Sequence, residues 1–140
     1  MKTTSFITIF SFLFTVSSFS QRQIVGKWLS EDKEGITEIY EQGGKFYGKI
    51  VWLKKATDDK ESPFKDTKNS NPKLRQRPLQ ELVVITNLSF INKEWVNGSV
   101  YDPKSGKIYS CKVWLTNDNT LNLRGYAGIF HSTEVWTRTK

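Results

Sequence analysis

The sequence predicts an all-β protein, an eight-stranded antiparallel up-and-down barrel. Three observations carry that prediction. Beyond residue 20 the chain reads as short runs of alternating apolar and polar residues, each bounded by turn residues. No segment carries a helical stripe of useful length. The turns divide the chain into about eight short strands joined mostly by short loops, which favours a barrel, with a two-sheet sandwich as the alternative. Closure removes edge strands, which matters here because the single Cys111 leaves no intrachain disulfide.

The elements follow in order. Residues 24–29 form a first strand. Residues 36–42 form a second, ending at Gly43-Gly44, which can take the positive φ of a tight hairpin turn. Residues 45–53 alternate, with Phe46, Gly48, Ile50 and Trp52 on one face and Tyr47, Lys49, Val51 and Leu53 on the other. Residues 82–86 are a short β-branched strand, and residues 87–92 leave room for a short helix. Residues 95–101 are either one strand with a glycine bulge at Asn97-Gly98 or a hairpin turning there. Asp102-Pro103-Lys104-Ser105-Gly106 has the residues of a type I turn closed by a left-handed glycine. Residues 107–116 alternate again, with Tyr109, Cys111, Val113 and Leu115 together. Residues 117–119 turn, and residues 120–126 and 132–138 complete the set. All five Trp fall in these strands.

The first twenty residues differ from the rest. They hold no acid, one base (Lys2) and five of the nine Phe. Lys2, the apolar run 6–16 and the small residues Ser18 and Ser20 have the three-part pattern of a cleaved export signal, and the run is too short to span a bilayer. The expected organisation is a signal peptide over 1–20 and a single barrel domain over 21–140, secreted or periplasmic after cleavage near Ser20 and Gln21. The formal charge of +7 becomes +6 without Lys2.

One connection breaks the rhythm. Residues 54–79 have little periodicity and carry eight bases and four acids, a net charge of +4. A loop this long in a compact domain is usually functional. Asp58, Asp59, Glu61 and Asp66 lack the glycine and the spacing of a calcium loop, and one His and one Cys are too few for a zinc or iron site. No metal or cofactor is expected. The loop has few aromatics and the strands have no basic stripe, so nucleic acid is excluded as a partner in favour of a small amphipathic ligand or an anionic envelope component.

Catalytic signatures are missing: there is no nucleophile elbow, zinc-protease motif or phosphate loop. Cys111, among alternating apolar residues, reads as a small buried hydrophobe. Three faces are less ordinary. Asn122, Arg124 and Tyr126 share one, Glu134, Trp136 and Arg138 another, and Trp95, Asn97, Ser99 and Tyr101 a third if that segment is one strand. Such faces either line a cup or form the solvated outside, with Leu121, Leu123, Val135 and Cys111 as the core. Hydropathy favours the outside. Glu134 with Tyr126 is an example of an acid–base pair that these faces could offer.

Gly26-Lys27-Trp28 on the first strand and Arg138 on the last resemble the signature of lipocalins and the wider calycins. The resemblance implies that Trp28 plugs one end of the barrel and Arg138 packs across it, with Gly26 and Trp136 part of that closure. A longer match is more specific. Gly26-x-Trp28, Asn71-Pro72-x-Leu74-Arg75, Arg77-Pro78-Leu79, the run from Tyr101-Asp102-Pro103 to Gly106-Lys107-x-Tyr109, Arg124-Gly125-Tyr126 and Trp136-Thr137-Arg138 resemble the bacterial exported domain of unknown function family 2147. The chain departs from that pattern at Lys73, Gln80-Glu81 and His131-Ser132. The resemblance implies a lipocalin-like barrel and no established reaction.

The expected role is non-catalytic binding of a small amphipathic molecule or envelope component, with the basic loop covering or gating the mouth. Arg75, Arg77, Tyr101, Arg124 and Tyr126 are the expected ligand contacts. The alternatives are a surface module that binds an anionic envelope partner through loop 54–79, and a calycin-like hydrolase or isomerase.

Overall fold

The computed structural model describes residues 20–140. The export-signal reading of residues 1–19 therefore lies outside the described residues. A 3₁₀ turn, Gln21–Ile24, leads into eight strands: β1 Gly26–Leu29, β2 Gly35–Gln42, β3 Lys45–Leu53, β4 Val83–Ile91, β5 Glu94–Asp102, β6 Lys107–Asn117, β7 Thr120–Ala127 and β8 Phe130–Thr139. Each strand pairs antiparallel with the next, and β1 pairs with β8 through Lys27↔Thr139, Trp28↔Arg138 and Leu29↔Thr137. The sheet is a closed barrel in up-and-down order, so among the described residues no strand edge is left open.

Alternation sends apolar residues in and polar residues out. Trp28, Ile39, Phe46, Ile85, Leu88, Trp95, Val113 and Leu121 are fully buried. Each such side chain contributes about 1.5–3 kcal/mol of burial energy. Lys27, Glu38 and Lys49 stand opposite one another on the outer wall across β1, β2 and β3. No helix among the described residues is long and apolar enough to cross a membrane.

Bulges account for several departures from simple alternation. Thr37 pairs with Ile50 but Ile36 pairs with Trp52, so Val51 is an extra residue. It turns Trp52 outward, 42% exposed, and Leu53 inward onto the core, reversing the expected faces at the end of β3. Residues 87–92 are not helical. β4 continues through them, kinked at Asn87 with φ 60°, and turns at Asn92-Lys93, both at positive φ. Asn97, also at φ 60°, is the extra residue between Trp95 and Gly98 in one continuous β5. The Asn97-Gly98 alternative is thereby settled as a bulge.

The connections alternate between the two ends. The turns β2–β3, β4–β5 and β6–β7 lie at one end with the 3₁₀ turn and the C-terminus. The loops β1–β2, β3–β4, β5–β6 and β7–β8 lie at the other. The first end is closed. Trp28 donates its indole N–H to the Ile24 carbonyl at 2.8 Å. The Arg138 guanidinium sits 4.2 Å from the Trp28 ring centroid. It also donates to the carbonyls of Val25 at 3.0 Å and Asp118 at 2.7 Å, and to that of Gln23. A Cβ at Gly26 would stand 2.7 Å from Arg138 Nη1, so the glycine is what admits the guanidinium.

Candidate functional site

The half of the barrel near the closed end is filled by the buried rings. The other half is not. A cavity of about 610 Å³ opens between the loops of the far end, within the size range of small-molecule sites. Its wall is mostly apolar, with Ile50, Leu53, Val84, Val100 and Leu123 from four strands and Trp136 deeper in. Phe130 and Pro103 stand at the rim with the polar groups of Ser30, Asp32, Glu34 and Lys104.

The rim charges are paired among themselves. Lys104 Nζ lies 3.2 Å from Asp32, and Lys54 lies 3.7 Å from Glu34. The Ser30 hydroxyl donates to Asp32 at 2.6 Å. That bond, the Glu34 backbone N–H and Lys104 outweigh partial burial and hold the Asp32 carboxyl below its usual range. The Asp102 carboxylate accepts from the Ser105 hydroxyl at 2.7 Å inside the β5–β6 turn. Glu134 differs. It projects into the cavity, and its Oε2 accepts the indole N–H of Trp136 at 2.9 Å.

The pairing of β7 with β8 decides which groups reach this space. Leu121 faces Trp136, Leu123 faces Glu134 and Gly125 faces Ser132. Cross-strand partners share a face, so Glu134 and Trp136 are inside with the leucines while Asn122, Arg124 and Tyr126 are outside. The two polar–aromatic faces are thus split between the sides of the sheet: Asn122 is buried and Arg124 and Tyr126 half-buried on the outer side, while Glu134 on the inner side is exposed to the open cavity. Val135, expected in the core, is on the outer wall and 38% exposed. A Glu134–Tyr126 acid–base pair is ruled out because the two side chains lie on opposite sides of the sheet. The third face does not exist as a unit. The Asn97 bulge leaves Trp95 inside but turns Ser99 and Tyr101 to the outer side.

The expected contacts are therefore spread over different places. Arg124 is on the outer wall, donating from Nε to the Thr133 hydroxyl at 2.8 Å with its guanidinium 4.9 Å from the Trp114 ring centroid. Tyr126 borders a separate depression of about 560 Å³ between the loop and the β6–β7 wall, with Asn69, Ser70 and Ile108. Arg75 is exposed and donates to the Asn69 carbonyl at 2.7 Å. Arg77 and Tyr101 share one carboxylate. Asp66 is fully buried and accepts from Arg77 Nε at 2.9 Å, from Asn69 at 2.8 Å and from the Tyr101 hydroxyl. Only Tyr101 of these five touches the cavity, at its rim.

The Asp66 cluster organises loop 54–79. Burial pushes the Asp66 carboxyl up, but the three hydrogen bonds and the Arg77 charge outweigh it and hold the group below the usual carboxylate range. Burial and the adjacent carboxylate push the Tyr101 phenol up, so it stays a donor. Asp58, by contrast, closes a turn by accepting the backbone N–H groups of Lys60 and Ser62, both at 2.9 Å. The loop lies against the side of the mouth, and Leu79 is its one residue in the cavity wall.

Glu134 carried a weak sequence signal that alternation alone did not convey. A two-residue turn at Gly128-Ile129 sets odd residues of β7 opposite even residues of β8. Locating that turn would have placed Glu134 beside Leu123. Asp66 had no such signal, because loop contacts have no period.

Known proteins agree with this architecture. A solved Helicobacter pylori protein, HP1028, is described as belonging to the lipocalin family. It is similar to this chain at 25% identity, with a TM-score of 0.72 over 84% of this chain and 83% of that one. No functionally curated protein matches. Residues 26–138 match the family model described as an uncharacterized protein conserved in bacteria, domain of unknown function 2147. The barrel with its plugged end, its open cavity and its tethered loop is therefore the lipocalin-like fold of a chain that belongs to domain of unknown function family 2147.

Proposed function

We propose that this protein is a non-catalytic binding protein that takes a small amphipathic molecule or envelope component into the open half of its barrel. The observation that carries the reading is the cavity of about 610 Å³, apolar along its wall and polar at its rim. That distribution suits a ligand with an apolar body and a few polar groups. The export pattern of residues 1–20 adds the proposal that the protein works outside the cytoplasm. Catalysis is the poorer reading. Glu38 stands on the outer wall between Lys27 and Lys49, and the hydrogen-bond partner of Glu134 is an indole rather than a second acid or base.

A plugged barrel tests the proposal. A Cβ at Gly125 would make only ordinary contacts, 3.8 Å to Tyr109 and 3.9 Å to Val100, so a side chain there has room to enter the cavity. The neutral dye N-phenyl-1-naphthylamine is expected to bind the wild type at one site and to lose binding in Gly125→Leu with the fold retained by circular dichroism. Equal binding to both proteins would place the dye elsewhere and sink the cavity reading.

A second reading rests on loop 54–79, where Lys60, Lys65, Lys68 and Lys73 are exposed and have no acidic partner within ion-pair distance among the described residues. In that reading the loop docks an anionic envelope surface. Lys65, Lys68 and Lys73 changed together to Glu would abolish sedimentation with anionic vesicles, whereas Gly125→Leu would leave it unchanged.

A further inference from the structure

The polarity of the ligand turns on one side chain. Glu134 is four residues along β8 from the rim residue Phe130, about 13 Å down the strand at ~3.3 Å per residue. It points inward beside Leu123, with Trp136 next below it on the same face. Trp136 occupies one of its oxygens. Among the described residues Oε1 has no hydrogen-bond donor, and no Lys, Arg or His lies within ion-pair distance. The rim acids Asp32 and Glu34 have lysine partners. Glu134 is thus the one acid of the cavity wall that has neither a cation nor a hydroxyl donor.

We propose that the cavity selects a ligand carrying a cationic nitrogen, an amine or quaternary ammonium on an apolar body, which pairs with Glu134. The proposal deepens the binding reading above and rests on it. Glu134 is exposed to the open cavity, so its attraction for an ammonium strengthens as a ligand body seats against it and displaces the screening solvent. The same charge opposes the head group of a fatty acid, so selection works by repulsion as well as attraction. The indole of Trp136 and the rings of Tyr109 and Phe130 offer aromatic faces to an ammonium. The preference would run against the field of the whole molecule. With a formal charge of +7, the protein draws anions at long range. A cation preference therefore has to arise locally, at the cavity.

Decyltrimethylammonium, decanoate and 1-decanol share one apolar chain and differ in the head group. Calorimetric titration of the full chain below micelle concentrations is expected to rank ammonium first, at least ten-fold tighter than decanoate, with the alcohol between. Glu134→Gln keeps a carbonyl oxygen for the Trp136 indole and removes the charge. It should weaken the ammonium ten-fold or more, strengthen decanoate and leave the alcohol within about two-fold. Decanoate binding as tightly as the ammonium, or a ratio unchanged in Glu134→Gln, would overturn the cationic ligand and leave the binding reading standing. Failure of all three probes, the alcohol included, would overturn both. If the variant does not fold, the wild-type ranking alone still decides.

Discussion

Arg77 Nε lies 2.9 Å from Oδ2 of Asp66, and the Asp66 side chain is fully buried while that of Arg77 is 37% exposed. The pair joins the middle of loop 54–79 to its C-terminal end, and Tyr101 ties it to β5. Removing one member of a buried, hydrogen-bonded pair costs more than the pair itself contributes, because the remaining group is left unsatisfied. The partial exposure of Arg77 lets water take over some of that loss.

Acid should therefore loosen this anchor. The folded-state carboxyl of Asp66 is held below its ordinary value. Its contribution is complete above the unfolded value of about 4, and is lost as pH falls through the lower folded value. The wild type should lose stability on going from pH 5 towards pH 2. Asp66→Asn should be less stable at pH 7 by about 1–3 kcal/mol and show a shallower loss over the same range. Urea midpoints at the two ends of that range check both. An equal acid loss in the variant would assign it to other groups, Asp32 foremost.

Gly106 should tolerate no side chain. Its φ is 73°, and a Cβ there would stand 1.9 Å from the Lys68 carbonyl oxygen, a backbone atom that cannot step aside cheaply. Gly43 has a similar φ of 59° but nothing within 4 Å. Gly43→Ala carries only the conformational penalty, about 1 kcal/mol, whereas Gly106→Ala adds displacement of the loop and should exceed about 2 kcal/mol. Thermal denaturation of the two variants gives the comparison. Faster tryptic cleavage within 54–79 in Gly106→Ala alone would locate the damage.

Arg138 should not be replaceable by Lys. Its planar group covers the Trp28 ring and donates to three carbonyls from two segments, a geometry that one ammonium cannot reproduce. Arg138→Ala is expected to cost about 2–4 kcal/mol, with Arg138→Lys recovering less than half. Chemical denaturation measures both. Full recovery by Lys would mean that charge alone matters at the closed end.

Cys111 should be silent in the native protein. It is buried between the sheet walls, and burial pushes its thiol up to about 12. Thiolate is the reactive form, so iodoacetamide at pH 8 should leave the folded protein unmodified and alkylate it in denaturant. Rapid native labelling would show that the barrel opens at β6.

The strands were legible because their cause is local. Alternation with turn residues at 43–44, 102–106 and 117–119 marks strands wherever they lie, and six of the seven connections are too short for any topology but neighbour-to-neighbour pairing. Gly26, Trp28 and Arg138 were legible as a set because their residue types suit a plugged barrel end.

Which face of a strand turns inward is a different kind of fact. A period of two leaves both faces equally good until a partner strand supplies the register, and a single extra residue exchanges them. Val51, Asn97 and the turn at Gly128-Ile129 made those choices. They put Leu53 and Glu134 inside, and Trp52, Arg124 and Tyr126 outside. The buried Asp66 lay further still from local reading, because its partners come from residues 69, 77 and 101. By itself the sequence determined a closed barrel, its plug and its basic loop. Only the tertiary structure decided that the cavity wall carries an acid without a cationic partner, because register is a property of two strands and alternation a property of one.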